Sequence, residues 1–298
     1  MPQHEPSSDP LGTWSEGHAI APAMRSIPMN MFERPWDLHR PAEGSRPPDV
    51  LHAIRRMTQN IYDDPQFFAG YSRLGRSVDG LDGAPEWPAL RELLPPLAGL
   101  RVLDLGCGFG WFSRWAREHG AARVLGLDRS ENMLARARAD TGDPAIEYRR
   151  ADLEQLDLPA SCFDLAHSAL ALHYVVDLAG LLARVHAALA PGGRLVVSAE
   201  HPIYTAPSRP GWRVDAEGRR FWPLDRYLVE GPRVTNWLAE GVVKQHRTLG
   251  TTLNLFVRAG FRIVHVEEWS PTDAQVAARP ELAEERERPM FVLVAADR

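Results

Sequence analysis

The chain is organised around the stretch VLDLGCGFGW, residues 102–111. A short apolar run enters a cluster of three alternate glycines, and an amphipathic run, residues 111–119, leaves it. This order predicts a buried strand, a tight turn and a helix. The glycines permit the sharp turn and let a ligand approach the backbone closely. The start of the helix offers free N–H groups and a positive dipole end to that ligand.

Acidic residues follow the next two predicted strands. The apolar run 124–128 ends at Asp128, 18 residues after Gly110, and a third run, 146–150, leads to Asp152. An acid at the end of the second strand is placed to bind a ribose diol. A fourth run, 163–168, precedes residues 169–174. The two acids are therefore expected on one edge of a sheet.

Together these motifs resemble the class I S-adenosylmethionine-dependent methyltransferases, specifically their small-molecule branch, over about residues 62–298. The resemblance implies S-adenosyl-L-methionine as cofactor. It implies that the glycine loop (Gly106, Gly108 and Gly110) holds the methionine part, that Asp128 binds ribose and that Asp152 contacts adenine. The same resemblance adds four positions to the expected cofactor site: Asp104, Met133, Leu153 and Ser168.

Residues 61–73 resemble the N-terminal helical lid of these enzymes, which closes over the methionine end of the cofactor. A carboxylate ligand favours a fork of donors, so Tyr71, Arg73 and Arg76 are the lid candidates, with Tyr71 and Arg76 assigned to the cofactor site. The aromatic pair Phe67 and Phe68 is equally consistent with packing a helix onto the sheet.

The predicted fold class is α/β, a Rossmann-like, seven-stranded, mostly parallel sheet with helices on both faces. Helices are expected at 50–60, 88–94, 131–139 with Ser130 as N-cap, 178–190 and 248–259. The helix 178–190 is expected to stop at a Pro-Gly-Gly turn, 191–193, before a strand at 194–199. Strands at 261–266 and 289–295 would form, by the resemblance, an antiparallel pair at the sheet edge.

Two domains are predicted, a proline-rich N-terminal arm at 1–49 and a methyltransferase domain at 50–298. The arm has nine prolines and no sustained period. Its large apolar side chains (Trp14, Met29, Met31, Phe32 and Trp36) leave two interpretations open. It is a flexible leader, or it packs on the enzyme or on a neighbouring subunit, which would make a homodimer.

An insertion at about 202–245 is predicted to form a cap over the acceptor pocket, because it is too long for a simple connection. Its aromatic residues are Tyr204, Trp212, Phe221, Trp222, Tyr227 and Trp237. They favour a small, ring-bearing acceptor, as in the biosynthesis of natural products, methylated on a hydroxyl, amine or carbon.

A histidine suits removal of the acceptor's proton near neutral pH. His173, after the fourth strand, and His246, at the start of the helix that follows the insertion, are the predicted bases. His167 is expected to be structural, within the fourth strand. The substrate pocket is expected to be lined by Tyr174, His201 and Tyr204.

The composition of the chain disfavours several classes of protein. The 298 residues carry a net charge of −5 and two cysteines, which disfavours a nucleic-acid binder and favours a reducing compartment. No apolar run approaches the ~20 residues of a membrane span, and no signal peptide is recognisable. A cytoplasmic enzyme without membrane or nucleic-acid partners is expected, and the histidines and acids show no metal-ligand spacing.

Two alternative functions compete with methyl transfer as interpretations of this sequence. A nicotinamide-dependent oxidoreductase is disfavoured because its fingerprint leaves two residues between the second and third glycines, whereas Gly108 and Gly110 are separated by one. A non-methylating or repurposed S-adenosylmethionine-binding protein stays open, since fold does not fix function.

Overall fold

The computed structural model describes residues 59–298. The predicted arm, 1–49, lies outside these residues. Of the predicted helix 50–60, only Gln59 and Asn60 are described, and neither is helical.

A seven-stranded sheet forms the centre of the described chain. Its strands are β1 (Arg101–Leu105), β2 (Arg123–Asp128), β3 (Ile146–Arg150), β4 (Phe163–Ala169), β5 (Leu189–Glu200), β10 (Arg262–Glu268) and β11 (Phe291–Asp297). Two small hairpins supply β6 (Arg213–Val214) with β7 (Arg220–Phe221) and β8 (Gly231–Thr235) with β9 (Val242–His246). The sheet order is β10-β11-β5-β4-β1-β2-β3. β1 to β5 are parallel, and β11 is antiparallel to both of its neighbours. The predicted fold class is confirmed.

The helices alternate with these strands. They are α1 (Pro65–Tyr71), α2 (Gly75–Val78), α3 (Trp87–Glu92), α4 (Trp111–Glu118), α5 (Glu131–Ala139), α6 (Leu178–Ala188), α7 (Pro202–Thr205), α8 (Leu249–Arg258) and α9 (Asp273–Ala278). Short 3₁₀ segments lie at Ile61–Asp63, Gly80–Gly83, Leu153–Gln155, Leu172–Tyr174 and Pro280–Arg286. No helix within residues 59–298 is long and apolar enough to cross a membrane.

The sheet buries both faces, as its near-continuous apolar strands require. On one face Leu103 and Leu105 join the core cluster that α6 and α8 cover. On the other face Val102 joins the cluster that contains Trp87 of α3 and Phe112 of α4. The carboxyl ends of β1 to β5 therefore meet at one edge, which is where ligands of open α/β sheets bind.

The boundary between α6 and β5 differs from the sequence prediction. The helix ends at Ala188 and the strand begins at Leu189, so the Pro-Gly-Gly segment 191–193 lies inside the strand. The pairing with β4 shifts register there, from Phe163 opposite Leu189 to Leu165 opposite Arg194. An irregular strand thus stands where a turn was expected.

The segment 202–246, called the cap below, begins with α7 and then forms the hairpins β6–β7 and β8–β9. Its second hairpin ends at His246, so β9 takes in a residue that the sequence placed at the start of the next helix. Beside it, Trp237, Phe67, Tyr62 and Tyr174 form a third apolar cluster with Val242.

Candidate active site

The glycine loop joins β1 to α4 through three residues with positive φ. The φ values are +75° at Gly106, +52° at Gly108 and +74° at Gly110, which side chains rarely adopt. A Cβ on Gly106 would lie 2.5 Å from the Ala171 side chain, and one on Gly110 would lie 2.1 Å from the Tyr148 hydroxyl. The protein's own packing therefore requires glycine at these two positions.

Gly108 is glycine for a different reason. A Cβ there would meet no atom of residues 59–298 within 4 Å, so the backbone of Gly108 faces open space. An exposed stretch of backbone with no Cβ lets a ligand come into direct contact. This opening is the first observation that fits a cofactor on the glycine loop.

The Asp128 carboxylate, at the end of β2, fixes the shape of that loop. Its Oδ2 accepts from the Gly108 N–H and its Oδ1 from the Ser130 N–H, each at 2.9 Å. Burial raises the pKa of Asp128 to about 6, against the opposing effect of these donors. A ribose diol would bring further donors to the carboxylate and offset part of the cost of burying its charge.

Two other predicted cofactor residues already have protein partners. Asp152 accepts from Arg129 Nη1 at 3.0 Å and from the Glu154 N–H at 3.0 Å. The buried Ser168 hydroxyl donates to the Leu105 carbonyl at 3.0 Å and so ties β4 to β1. Asp152 has lone pairs left for adenine, whereas the Ser168 hydroxyl proton is engaged in the sheet.

Met133 and Leu153 are the apolar members of the predicted set. Met133 is fully buried in α5, where its N–H bonds the Ser130 N-cap. Leu153 lies in the 3₁₀ segment after β3 and packs against the core beneath α6. Contact of either residue with the adenosine stays a prediction.

The lid residues Tyr71 and Arg76 both line a pocket beside the glycine loop, whereas Arg73 is exposed. Arg76 Nη2 donates to both carboxylate oxygens of Glu86, at 3.0 and 3.1 Å. Burial opposes the charge on Arg76, but Glu86 outweighs it and raises the pKa of the guanidinium. The lid therefore presents a paired cation, with its other N–H groups free to donate.

The pocket between the lid and the glycine loop holds roughly 660 Å³ of empty space, part of it open to solvent. Three buried polar atoms in it have no hydrogen-bond partner among residues 59–298: Ser77 Oγ, Trp111 Nε1 and His167 Nε2. Such groups are costly unless a ligand or water pairs them. The site thus fits S-adenosylmethionine, which the glycine loop, Asp128 and the lid would hold, and the bound cofactor would supply an activated methyl group.

A second polar cluster lies where β4 and β5 end. His173 Nδ1 accepts from the Glu200 N–H at 3.5 Å, and its Nε2 lies 3.9 Å from Glu200 Oε1. Lys244 Nζ, from β9, donates to the same Oε1 at 2.5 Å.

Burial lowers the pKa of His173 to about 4, although Glu200 opposes this. Burial would raise the pKa of Glu200, but Lys244 and His173 outweigh it and lower that pKa. Near pH 7 the pair is a neutral imidazole beside a carboxylate.

This cluster opens onto a second pocket, with roughly 480 Å³ of empty space. Its lining combines apolar and polar side chains. The apolar ones include Leu178, Val197, Phe256, Val292 and Val294, and the polar ones are His173, Glu200, Thr205, Gln245, Arg247 and Thr252. A molecule with an apolar body and one polar reacting end suits this lining.

His246 is placed as a structural residue of the cap. It is fully buried; its Nε2 donates to the Tyr227 carbonyl at 2.8 Å and its Nδ1 accepts from Thr205 Oγ1 at 2.9 Å. With both ring nitrogens bonded, no site is left for a substrate proton. The geometry favours a role in joining β9 to α7 over the role of base.

His201, predicted to line the substrate pocket, is bonded in the same way. Its Nδ1 accepts from the Ile203 N–H at 3.0 Å, which caps α7, and its Nε2 donates to Glu268 Oε1 on β10 at 2.8 Å. It lines neither of the two pockets described here. His201 therefore ties the start of the cap to the sheet edge.

The two tyrosines of the predicted substrate pocket face different surroundings. The Tyr174 hydroxyl, beside His173, accepts a hydrogen bond from the Tyr62 hydroxyl at 3.3 Å. Tyr204 stacks on Trp222 at 5.8 Å, and the Arg288 guanidinium lies 4.7 Å from its ring. Burial raises the pKa of both tyrosines, so neither is a phenolate near pH 7.

Sequence reasoning missed Glu86, Glu200 and Lys244. One signal existed, since Lys244 is the only lysine of the chain and follows two valines in a predicted insertion. Glu86 and Glu200 lie in no periodic pattern or motif spacing that would have marked them as site residues. Residues 59–298 contain no group of three His, Cys, Asp or Glu side chains placed to hold a metal ion.

Comparison with known proteins is consistent with this geometry. A family model described as "Methyltransferase domain" matches residues 103–197. The solved structure of an S-adenosylmethionine dependent methyltransferase from Mesorhizobium loti is 69% identical, with a TM-score of 0.72, and the match covers 74% of this chain and 100% of that one.

Two relatives extend the comparison. An uncharacterised protein of Haemophilus influenzae is 35% identical over 218 residues, which is 70% of this chain and 85% of that protein. A malonyl-[acyl-carrier protein] O-methyltransferase of Pectobacterium atrosepticum is 41% identical over 104 residues, which is 35% of this chain and 40% of that enzyme.

The matched family model spans the glycine loop, Asp128 and Asp152, and stops before the cap. Its position agrees with the site built from the residues and leaves no support for a nicotinamide-dependent oxidoreductase. The chain belongs to the class I S-adenosylmethionine-dependent methyltransferases and is an enzyme that uses S-adenosyl-L-methionine as its cofactor.

Proposed function

We propose that the enzyme methylates a hydroxyl, amine or carbon of a small, ring-bearing molecule bound beneath the cap, with the His173–Glu200 pair receiving the proton that leaves the acceptor. The observation that carries this proposal is the position of that pair. A neutral, buried imidazole lies against a carboxylate at the ends of β4 and β5, where ligands of this fold class bind.

His173 is suited to accept a proton at Nδ1. Because Nδ1 accepts from the Glu200 N–H, the neutral ring carries its own proton on Nε2, and the free lone pair is on Nδ1. At 3.5 Å this contact is longer than an ordinary hydrogen bond, so the proton of the acceptor molecule can replace it. As the imidazolium forms, the Glu200 carboxylate 3.9 Å away stabilises its charge.

Lys244 acts through Glu200. Its ammonium, 5% exposed, bonds Glu200 Oε1 and keeps the carboxylate ionised in a buried position. Glu200 Oε2 has no partner in the described chain, so this oxygen is available to a polar group of the acceptor. The cluster can therefore orient an acceptor as well as take its proton.

A ring-bearing acceptor is supported by the aromatic surfaces around this cluster. The Lys244 ammonium lies 5.0 Å from the Trp237 ring and 5.9 Å from the Tyr204 ring, and Tyr174 packs against His173 at 4.4 Å between ring centroids. Flat apolar surfaces bordering a charged group bind molecules that combine a ring with a polar substituent.

The acceptor itself has to be measured, because the cap lies outside the matched family model. The protein would be incubated with methyl-labelled S-adenosylmethionine and a small-molecule extract, and the label followed by mass spectrometry. We expect a labelled, ring-containing product, whose fragments identify the methylated atom.

Two variants then test the proton acceptor. With the identified product as readout, His173→Ala is expected to lower kcat by about 10²–10⁴-fold, the usual contribution of a general base. His119→Ala, on the exposed end of α4, is the matched control and should behave as the parent. Parent-like turnover in His173→Ala, or a label carried only by molecules without rings, would contradict the proposal.

A further inference from the structure

The unpaired atoms of the pocket beside the glycine loop come from three separate elements. Ser77 lies in α2 of the lid, Trp111 is the first residue of α4 and His167 lies in β4. Ser77 Oγ, Trp111 Nε1 and His167 Nε2 are all inaccessible and have no partner within the described residues. Since buried polar atoms are nearly always paired, their convergence on one pocket indicates a ligand with matching polar groups.

Asp104 determines which of these atoms accepts a hydrogen bond. Its Oδ2 accepts from Ser113 Oγ at 2.7 Å and its Oδ1 lies 3.1 Å from His167 Nδ1. Because this carboxylate accepts from Ser113, we assign the Nδ1 N–H of His167 as the donor to its other oxygen, and in that tautomer Nε2 is left as an acceptor. The ring stacks on Phe112 at 3.5 Å between centroids, which prevents it from turning away. His167 therefore presents a fixed lone pair to the pocket.

The other two atoms present donors. Trp111 Nε1 is a donor only, and the Ser77 hydroxyl can also donate. The indole cannot easily shift, because it packs so closely on the lid that a Cβ on Gly80 would lie 2.7 Å from it. The charged lining is mixed too, with the Arg76 guanidinium and the Glu86 and Asp104 carboxylates in the same pocket. A pocket with both fixed donors and a fixed acceptor suits a zwitterion.

We propose that Ser77, Trp111 and His167 bind the amino-acid end of the cofactor. His167 Nε2 accepts from the ammonium group, while Trp111 Nε1 and Ser77 Oγ donate to the carboxylate. Asp104 is the positioning residue that fixes the tautomer of His167. These contacts add three side chains to the glycine loop, the acids and the lid, and they give His167 a binding role where the sequence suggested packing alone.

Two ligands separate this role from a structural one. S-Adenosylhomocysteine carries the amino-acid end, and 5′-methylthioadenosine has the same adenosine and thioether without it. Binding of both to the full chain would be measured by isothermal titration calorimetry in the parent, Trp111→Phe and His167→Asn. Asparagine keeps an amide donor for Asp104 and removes the acceptor at Nε2. We expect each variant to bind S-adenosylhomocysteine about tenfold or more weakly, as for a lost hydrogen bond to a charged group, and methylthioadenosine within about twofold of the parent.

The matched control is Trp115→Phe, on the same helix and outside the pocket, which should bind both ligands as the parent does. Equal losses for the two ligands would show that the residues only support the fold or a bound water, and unchanged binding of S-adenosylhomocysteine would also overturn the proposal. If thermal unfolding shows that His167→Asn is not folded, Trp111→Phe and Ser77→Ala decide the question by the same comparison.

Discussion

Replacing Asp128 with asparagine should separate the stability of the fold from cofactor binding. Burial raises the pKa of Asp128 from 3.8 to about 6, a difference equivalent to about 3 kcal/mol. Because the folded protein holds this proton more tightly than the unfolded chain, the stabilising contribution of the group is complete below pH 3.8. It is lost as the pH rises through about 6. Asparagine has no charge to bury at any of these pH values.

We therefore expect the free energy of unfolding of Asp128→Asn, relative to that of the parent, to rise by about 1–2 kcal/mol between pH 4 and pH 8, less than the full amount because the carboxylate is partly exposed to solvent. A loss that does not depend on pH is added to this, because the amide oxygen can accept from only one of the Gly108 and Ser130 N–H groups. Affinity for S-adenosylhomocysteine should fall about tenfold or more, because the amide offers fewer acceptor sites to a ribose diol. Urea unfolding at pH 4 and pH 8 measures the first effect, and calorimetry at pH 8 measures the second.

Asp143→Asn is the control, because the pKa shift of Asp143 has the opposite sign to that of Asp128. The Ala145 N–H and the Arg117 guanidinium hold the pKa of Asp143 below its ordinary value, so this variant should lose stability at pH 8 and bind the ligand as the parent does. The reasoning about Asp128 is refuted if Asp128→Asn gains no stability relative to the parent between pH 4 and pH 8, or if it binds S-adenosylhomocysteine with parental affinity.

Two further predictions concern the loop and the buried ion pair. Gly108→Ala should cost about 1–2 kcal/mol of stability for its positive φ yet abolish calorimetric binding of S-adenosylhomocysteine. Gly110→Ala, with its Cβ 2.1 Å from the Tyr148 hydroxyl, should cost about 2–5 kcal/mol in urea unfolding. A larger loss of stability in Gly108→Ala than in Gly110→Ala would contradict these assignments. Lys244→Met should lose about 3–5 kcal/mol of stability, because it leaves the buried Glu200 carboxylate unpaired. Adding Glu200→Gln to this variant should restore part of that stability. If the losses of the two single variants simply add in the double variant, the pair is not coupled.

The parts of the fold that the sequence predicted well have local causes. The helix 131–139 begins and ends where predicted, since the Ser130 side chain accepts from the Met133 N–H as an N-cap. The start of β5 was predicted five residues late, at Arg194, because Pro-Gly-Gly is a typical turn sequence. Pairing of Leu189 with Phe163 extends the strand past it, and pairing between distant segments cannot be seen in a local pattern.

The same distinction applies to the site. The glycine loop and Asp128 were found because short motifs at fixed spacing form them. The ion pair of Lys244 with Glu200 joins residues 44 positions apart, through a hairpin whose path has no sequence signature. His246 was misplaced for this reason too, since the prediction put it at the start of a helix, and the structure puts it at the end of β9.

Several of the groups that residues 59–298 leave unsatisfied line the pocket where we propose that the cofactor binds. Asp128 is ionised at a cost, the atoms of Trp111 and His167 lack partners, and Gly108 faces open space. Each of these features lowers the stability of the ligand-free protein and matches a group that the cofactor carries. Binding energy is therefore gained without loss of the protein's own hydrogen bonds, and the ligand stabilises the fold by mass action, by about 2.7 kcal/mol at 100 times Kd. In the acceptor cluster, Lys244 already pairs with Glu200 Oε1, whereas Glu200 Oε2 has no partner within the described residues. The acceptor cluster is therefore only partly set up before its substrate arrives, and a polar group of the acceptor would complete it as the cofactor would complete its own pocket.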